Sequence, residues 1–149
     1  MILRKFEERD KEQVTNLIRN FFRESIGDYG LNLNEKTISK TLSNYSNGYI
    51  GIIAEIDDKI IGCIGGLVAA SMFDEGQLVG QETMWFVDRE FRNGKVGIKL
   101  IEEFEKECKN RGANLIVMVH MGNLNAEILD KVYKHRNYKL LERQYIKGV

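Results

Sequence analysis

At 149 residues the chain can bury one sizeable core and is read as a single domain spanning residues 1–149. Its 22 basic and 22 acidic side chains are interspersed, which argues against nucleic-acid and anionic-membrane partners. No run reaches the roughly 18 apolar residues of a membrane span, and the N-terminus lacks a signal-peptide core, so the protein is expected in the cytoplasm. Residues 2–6 form a short opening strand. Asp10 then offers an N-cap to a helix with Val14, Leu17, Ile18, Phe21 and Phe22 on one face, ending near a left-handed Gly27. A loop around Asp28-Tyr29-Gly30 leads to a second helix from about Asn34, with Ile38, Leu42 and Tyr45 on one side.

Two β-branched runs, residues 49–56 and 59–70, flank the turn signal Asp57-Asp58 and read as an antiparallel hairpin. Gly65-Gly66 precedes no helix pattern, so a bulge or a close backbone approach is expected there rather than a phosphate loop. The next strand, residues 78–87, carries Glu82 inside a mostly apolar stretch, and a buried carboxylate without a partner is costly. Plain alternation puts Glu82 on one face with Met84 and Phe86, and Thr83, Trp85 and Val87 on the other.

That strand runs into Phe91-Arg92-Asn93-Gly94-Lys95-Val96-Gly97, a basic, glycine-containing turn that opens a helix over residues 94–109. The first turn of a helix presents unpaired N–H groups and the positive end of its dipole, so this geometry suits a phosphate. Arg92 and Lys95 add charge, and Gly94 and Gly97 would let a diphosphate approach the main chain. The spacing fits neither G-x-x-x-x-G-K-S/T nor G-x-G-x-x-G, which disfavours nucleoside triphosphates and NAD. Val96, Leu100, Ile101, Phe104 and Cys108 line one stripe of the helix, with Glu102/Lys106 and Glu105/Lys109 as outer pairs, and Gly112 ends it.

Residues 114–120 form an apolar run expected to be a strand buried on both faces, and strand, helix and strand make a right-handed parallel crossover. A last helix follows Asn125, with Ile128, Leu129, Val132 and Tyr133 inward, and residues 138–146 read as a closing strand. Cys63 and Cys108 belong to no Cys/His set, and His120 and His135 stand apart, so no metal site is expected and the thiols read as reduced and structural.

The loop at residues 91–97 resembles the R/Q-x-x-G-x-G/A signature of the GNAT superfamily of acetyl-CoA-dependent N-acetyltransferases, with Lys95 in the place of the first glycine and Arg89 where proline is common. The run from Asn125 through Tyr133 to Asn137-Tyr138 resembles the family's second signature, with Asn137 for glycine. Taken with the ending Glu142-Arg143-Gln144-Tyr145-Ile146-Lys147, the loop also resembles small acetyltransferases of tailed bacteriophages.

The resemblance implies an α/β fold with a mixed central sheet of six to seven strands and about four helices, in the order βααβββαβαβ with an optional further strand. It implies acetyl-CoA as co-substrate, an amine of a small molecule or protein as acceptor, direct transfer, and an assembly consistent with a homodimer. Cofactor contacts fall on Phe86, Val87, Arg92, Asn93, Gly94, Lys95, Val96, Gly97 and Asn125, with the pantetheine arm along the main chain of Phe86 and Val87. Glu82 becomes the candidate base, His120 its runner-up, Tyr133 the donor to the departing thiolate, and Tyr29 a wall of the acceptor pocket. The competing readings are a non-catalytic acyl-CoA-binding module and a phosphate-loop domain for another nucleotide.

Overall fold

The computed structural model describes residues 1–92 and 94–149, so the expectation for Asn93 lies outside the described residues. One sheet orders its strands β1-β2-β3-β4-β5, formed by Ile2–Lys5, Ile50–Ile56, Lys59–Ala70, Leu78–Val87 and Leu115–Val117. The first three pairings are antiparallel and the last, β4 with β5, is parallel. Helices α1 (Lys11–Phe21) and α2 (Glu35–Ser46) cover one face, while α3 (Val96–Asn110) and α4 (Ala126–His135) cover the other.

The hairpin between β2 and β3 turns through Asp57 and Asp58, both at positive φ (49° and 63°), the combination that matches the twist of the flanking strands. All five residues of the α3 stripe are buried, and Gly112 leaves the helix at φ 81°. Asn34 caps α2 by accepting the Thr37 N–H at 3.1 Å.

Several local expectations are corrected. Gly27 stays right-handed (φ −54°); α1 runs on through a π turn, Phe22–Ile26, and a 3-10 turn, Gly27–Tyr29, to a left-handed Gly30 at φ 78°. Asp10 does not cap α1 with its side chain, which bonds Arg4 and the Glu7 N–H instead. Two outer carboxylates of α3 bind across elements, Glu105 taking Arg136 and the Tyr138 hydroxyl and Glu102 taking Arg136, while Lys106 pairs with Glu103 within the helix.

The closing strand is not formed among the described residues, so the sheet has five strands rather than six or seven. Leu140, Leu141, Tyr145 and Ile146 stay exposed, because alternation supplies a strand's faces but not an edge to pair with. For the same reason β5 is not buried on both faces: it lies at the sheet's margin with Leu115 exposed. Ile128 also faces outward, at the rim of the α4 stripe.

Candidate active site

A β-bulge decides where Glu82 points. Gly65 pairs with Met84 and Gly66 with Glu82, so Thr83 is an extra residue on β4 and the alternation shifts there. A Cβ on Gly66 would meet Phe104 of α3 at 2.8 Å, whereas one on Gly65 would meet Tyr45 of α2. Glu82 therefore lies on the α3/α4 face with Trp85 and Val87, and not with Met84 and Phe86 as plain alternation predicts. Thr83, on the other side, joins Tyr45 through a 2.7 Å hydroxyl contact.

β5 pairs with β4 only from Val79 to Gln81; beyond that point the two parallel strands part. Two side chains meet at the opening. Glu82, 4% exposed, accepts the Val119 N–H on Oε2 at 3.1 Å, and the Tyr133 hydroxyl donates to the Val119 carbonyl at 2.9 Å. Burial pushes the Glu82 carboxyl up to about 7, only partly offset by the Val119 N–H. Burial, and then the charge of Glu82, drive the Tyr133 hydroxyl well above its ordinary value, so it remains a proton-bearing donor.

His120 stands at the same rim, its ring 5.9 Å from that of Tyr133. Its two nitrogens are occupied by the Met121 carbonyl at 3.2 Å and Asp130 at 3.0 Å, a structural setting rather than that of a free base. Tyr29 sits partly exposed in its 3-10 turn. Cys63 and Cys108 are buried, and burial lifts their thiols to about 12 and about 11, which removes them as nucleophiles at neutral pH.

The far end of β4 is open. The Asp88 N–H donates to the Ile61 carbonyl at 2.8 Å, which makes Gly62 and Val87 a non-hydrogen-bonded pair. The main-chain groups of Val87 and Trp85 consequently point away from β3, toward the gap. Those of Phe86 face β3, and its ring packs on Phe21 with centroids 4.3 Å apart, so the outward main-chain pair is Trp85 and Val87 rather than Phe86 and Val87. Trp85, missed as a site residue from sequence, also carries a buried Nε1 with no hydrogen-bond partner among the described residues.

Among the described residues, the α3 start has no side-chain cap, and its first turn carries no acidic residue. Lys95 is the residue before α3 at φ −82°, a conformation open to any side chain, which explains how the turn closes without glycine there. Gly94 and Lys95 are exposed and Val96 is buried. Gly97 faces inward: an added Cβ would lie 3.1 Å from the Trp85 ring, so this glycine admits the indole and not only a ligand. Arg92 donates to the Val87 carbonyl at 2.9 Å and to Glu24 at 2.6 Å. Asn125 is exposed in a left-handed conformation (φ 54°) ahead of α4, and Asn137 takes φ 65° where a glycine would be at ease.

The profile of the Acetyltransferase (GNAT) family matches residues 11–138. The chain belongs to the GNAT acetyltransferase family. It is thus an acyltransferase of the family that uses acetyl-CoA. A predicted acetyltransferase from Clostridium acetobutylicum, solved with acetyl-CoA, superposes with a TM-score of 0.74 at 16% identity, covering 99% of this chain and 95% of that one. The ribosomal-protein-alanine N-acetyltransferase of Brucella melitensis gives 0.77 at 13% identity over 100% of both chains. Glucosamine-6-phosphate N-acetyltransferase of Arabidopsis thaliana gives 0.73 at 16% identity, covering 99% and 97%. At such identities these likenesses establish the α/β GNAT fold alone. No curated protein sequence matches the chain. Among the described residues, no helix is long and apolar enough to cross a membrane, and no cluster of three or more metal-ligating side chains occurs.

Proposed function

We propose that this GNAT acetyltransferase moves the acetyl group of acetyl-CoA directly to an amine, with Glu82 as base and Tyr133 as donor to the departing sulfur. The observation that carries the reading is that a buried carboxylate and a buried phenol bond the two main-chain groups of one residue, Val119, where β4 and β5 part. Perturbed titrating groups gathered at a sheet opening suit acyl transfer to an amine.

The residues around the opening fit a pantetheine arm. Trp85 and Val87 present outward main-chain groups to which an extended amide chain adds as a further strand. The Trp85 Nε1 donor, costly while unpaired, lies in the same stretch. Past it, the α3 start, with Gly94, Lys95, Val96 and Gly97 and no side-chain cap among the described residues, offers its first-turn N–H groups to a diphosphate. Arg92 and Lys95 supply charge beside it, Phe86 backs β4 through its ring, and Asn125 borders the opening at the head of α4. Asn93 completes the loop in sequence.

Acetyl-CoA supplies the acetyl group as an activated thioester. The protein's task is the proton. An alkyl amine of ordinary pKa about 10.4 is only about 0.04% neutral at pH 7, equivalent to roughly 4 to 5 kcal/mol. Glu82, with its carboxyl near 7, is poised to accept that proton once its own has left, directly or through water. Tyr133 turns its hydroxyl from the Val119 carbonyl to the sulfur.

Acetyl-CoA consumption across a panel of primary amines, beside calorimetric CoA binding, tests this. Glu82→Gln should lower turnover about 10²- to 10⁴-fold, and Tyr133→Phe about tenfold, with CoA affinity kept. Unchanged turnover in both variants would remove these roles. CoA binding without turnover on any amine would favour the non-catalytic acyl-CoA-binding reading.

A further inference from the structure

Resting on the coenzyme reading above, we infer that Arg92 and Glu24 form a latch that is closed before the coenzyme binds and must open for it. Arg92 holds two partners at once: its Nε takes the outward carbonyl of Val87 at 2.9 Å, and its Nη1 takes Glu24 at 2.6 Å. With side chains 23% and 28% exposed, the pair is sheltered but not sealed, so it can exchange partners.

Each bond conflicts with the coenzyme. The Val87 carbonyl is an outward acceptor on the open edge, where a pantetheine amide would add. The guanidinium, one of two cationic side chains at the turn leading into α3, is neutralised by a carboxylate 68 residues earlier and drawn toward α1. Glu24 is itself an anion paired with a side chain of that turn, and its charge opposes an approaching diphosphate. Arg92 therefore serves the coenzyme only after leaving Glu24.

Glu24 belongs to the π turn Phe22–Ile26, and such irregular turns are frequent at functional sites. The same turn is tied to the loop before α4, where Asn123 Nδ2 donates to the Ser25 carbonyl at 2.9 Å. A cavity of about 230 Å³ lies between Glu24, Asn20, Phe86 and Arg92. Opening the latch frees the Glu24 carboxylate at the rim of this cavity.

Calorimetry with coenzyme A on the wild type and on Glu24→Gln tests the latch. The variant should bind about three- to fivefold tighter, since it loses both the competing partner and the repelling charge. Equal or weaker binding overturns the latch and makes Glu24 a support of the loop. Hydrogen exchange on the wild type gives a second test that needs no variant: coenzyme A should speed exchange across residues 20–27 while slowing it across 94–100. Slower or unchanged exchange at 20–27 also overturns it. A wild type that does not bind coenzyme A overturns the coenzyme reading itself, a failure distinct from binding without the Glu24 effect.

Discussion

Asp10 and Glu82 are carboxylates shut from solvent to nearly the same extent, 3% and 4% exposed. Asp10 accepts both Arg4 Nη groups, at 2.7 and 2.8 Å, and the Glu7 N–H at 2.8 Å. Burial raises its carboxyl, but those partners outweigh burial and hold it below the usual carboxylate range. Glu82 has one main-chain donor, the Val119 N–H, and no ion pair among the described residues. Both side chains are shut from solvent, yet one is a charged structural anchor and the other a carboxyl lifted toward neutrality. Two differences act together: Glu82 sits deeper among protein atoms, and it lacks the charged partner that Asp10 has in Arg4.

The sharpest way to break the contrast is the pH profile. If Glu82 is the base, kcat/KM should fall about tenfold per pH unit below a break near 7, about 100-fold by pH 5, and Glu82→Gln should erase that break. Asp10→Asn should leave the profile unmoved. A break that survives in Glu82→Gln would assign it to another group.

Next comes stability. Asp10→Ala should cost about 2 to 3 kcal/mol in urea unfolding at pH 7, because Arg4 loses its bidentate partner and the Glu7 N–H its acceptor. Since the folded Asp10 carboxyl is depressed, its contribution is present above the unfolded value of about 3.9 and is lost as pH falls through the lower folded one. Wild type and variant should therefore converge in acid.

The smallest effect has the opposite sign. Glu82 is raised in the fold, so the protein loses stability as pH rises from the unfolded carboxyl value to about 7 and carries the full cost above it. Glu82→Gln, which keeps an acceptor for Val119, should be more stable than wild type by on the order of 1 kcal/mol at pH 8, with the gap closing toward pH 5. A stabilising change that abolishes turnover would mark Glu82 as retained for chemistry. If Glu82→Gln destabilises the fold at both pH values, the carboxylate is structural like Asp10.

The same two residues show how much was legible in advance. Glu82 stands out in sequence as a charge within an apolar strand, and Gly65-Gly66 signals a bulge nearby. Yet the extra residue falls on β4, opposite those glycines, and only the β3/β4 register shows that it lies between Glu82 and Met84 and turns Glu82 to the other face. Asp10 reads locally as a helix cap because its nearest apolar period begins there; Arg4, from a different element, claims it instead. The residues missed, Trp85 and Glu24, have no motif. Trp85 could have been found from the inward Gly97 only by knowing that the two meet, and Glu24 enters through a partner 68 positions away.

By itself the sequence determined the periodic elements, the Asp57-Asp58 hairpin, the α3 stripe and the turn at residues 91–97, because each depends on neighbours within a few positions whose spacing repeats with helix or strand. Tertiary structure alone decided the rest: five strands among the described residues rather than six or seven, the face on which Glu82 lies, the bonds of Glu82 and Tyr133 to Val119, and the hold of Glu24 on Arg92. These depend on register and on contacts between distant segments, and a chain does not print its register until two strands have paired.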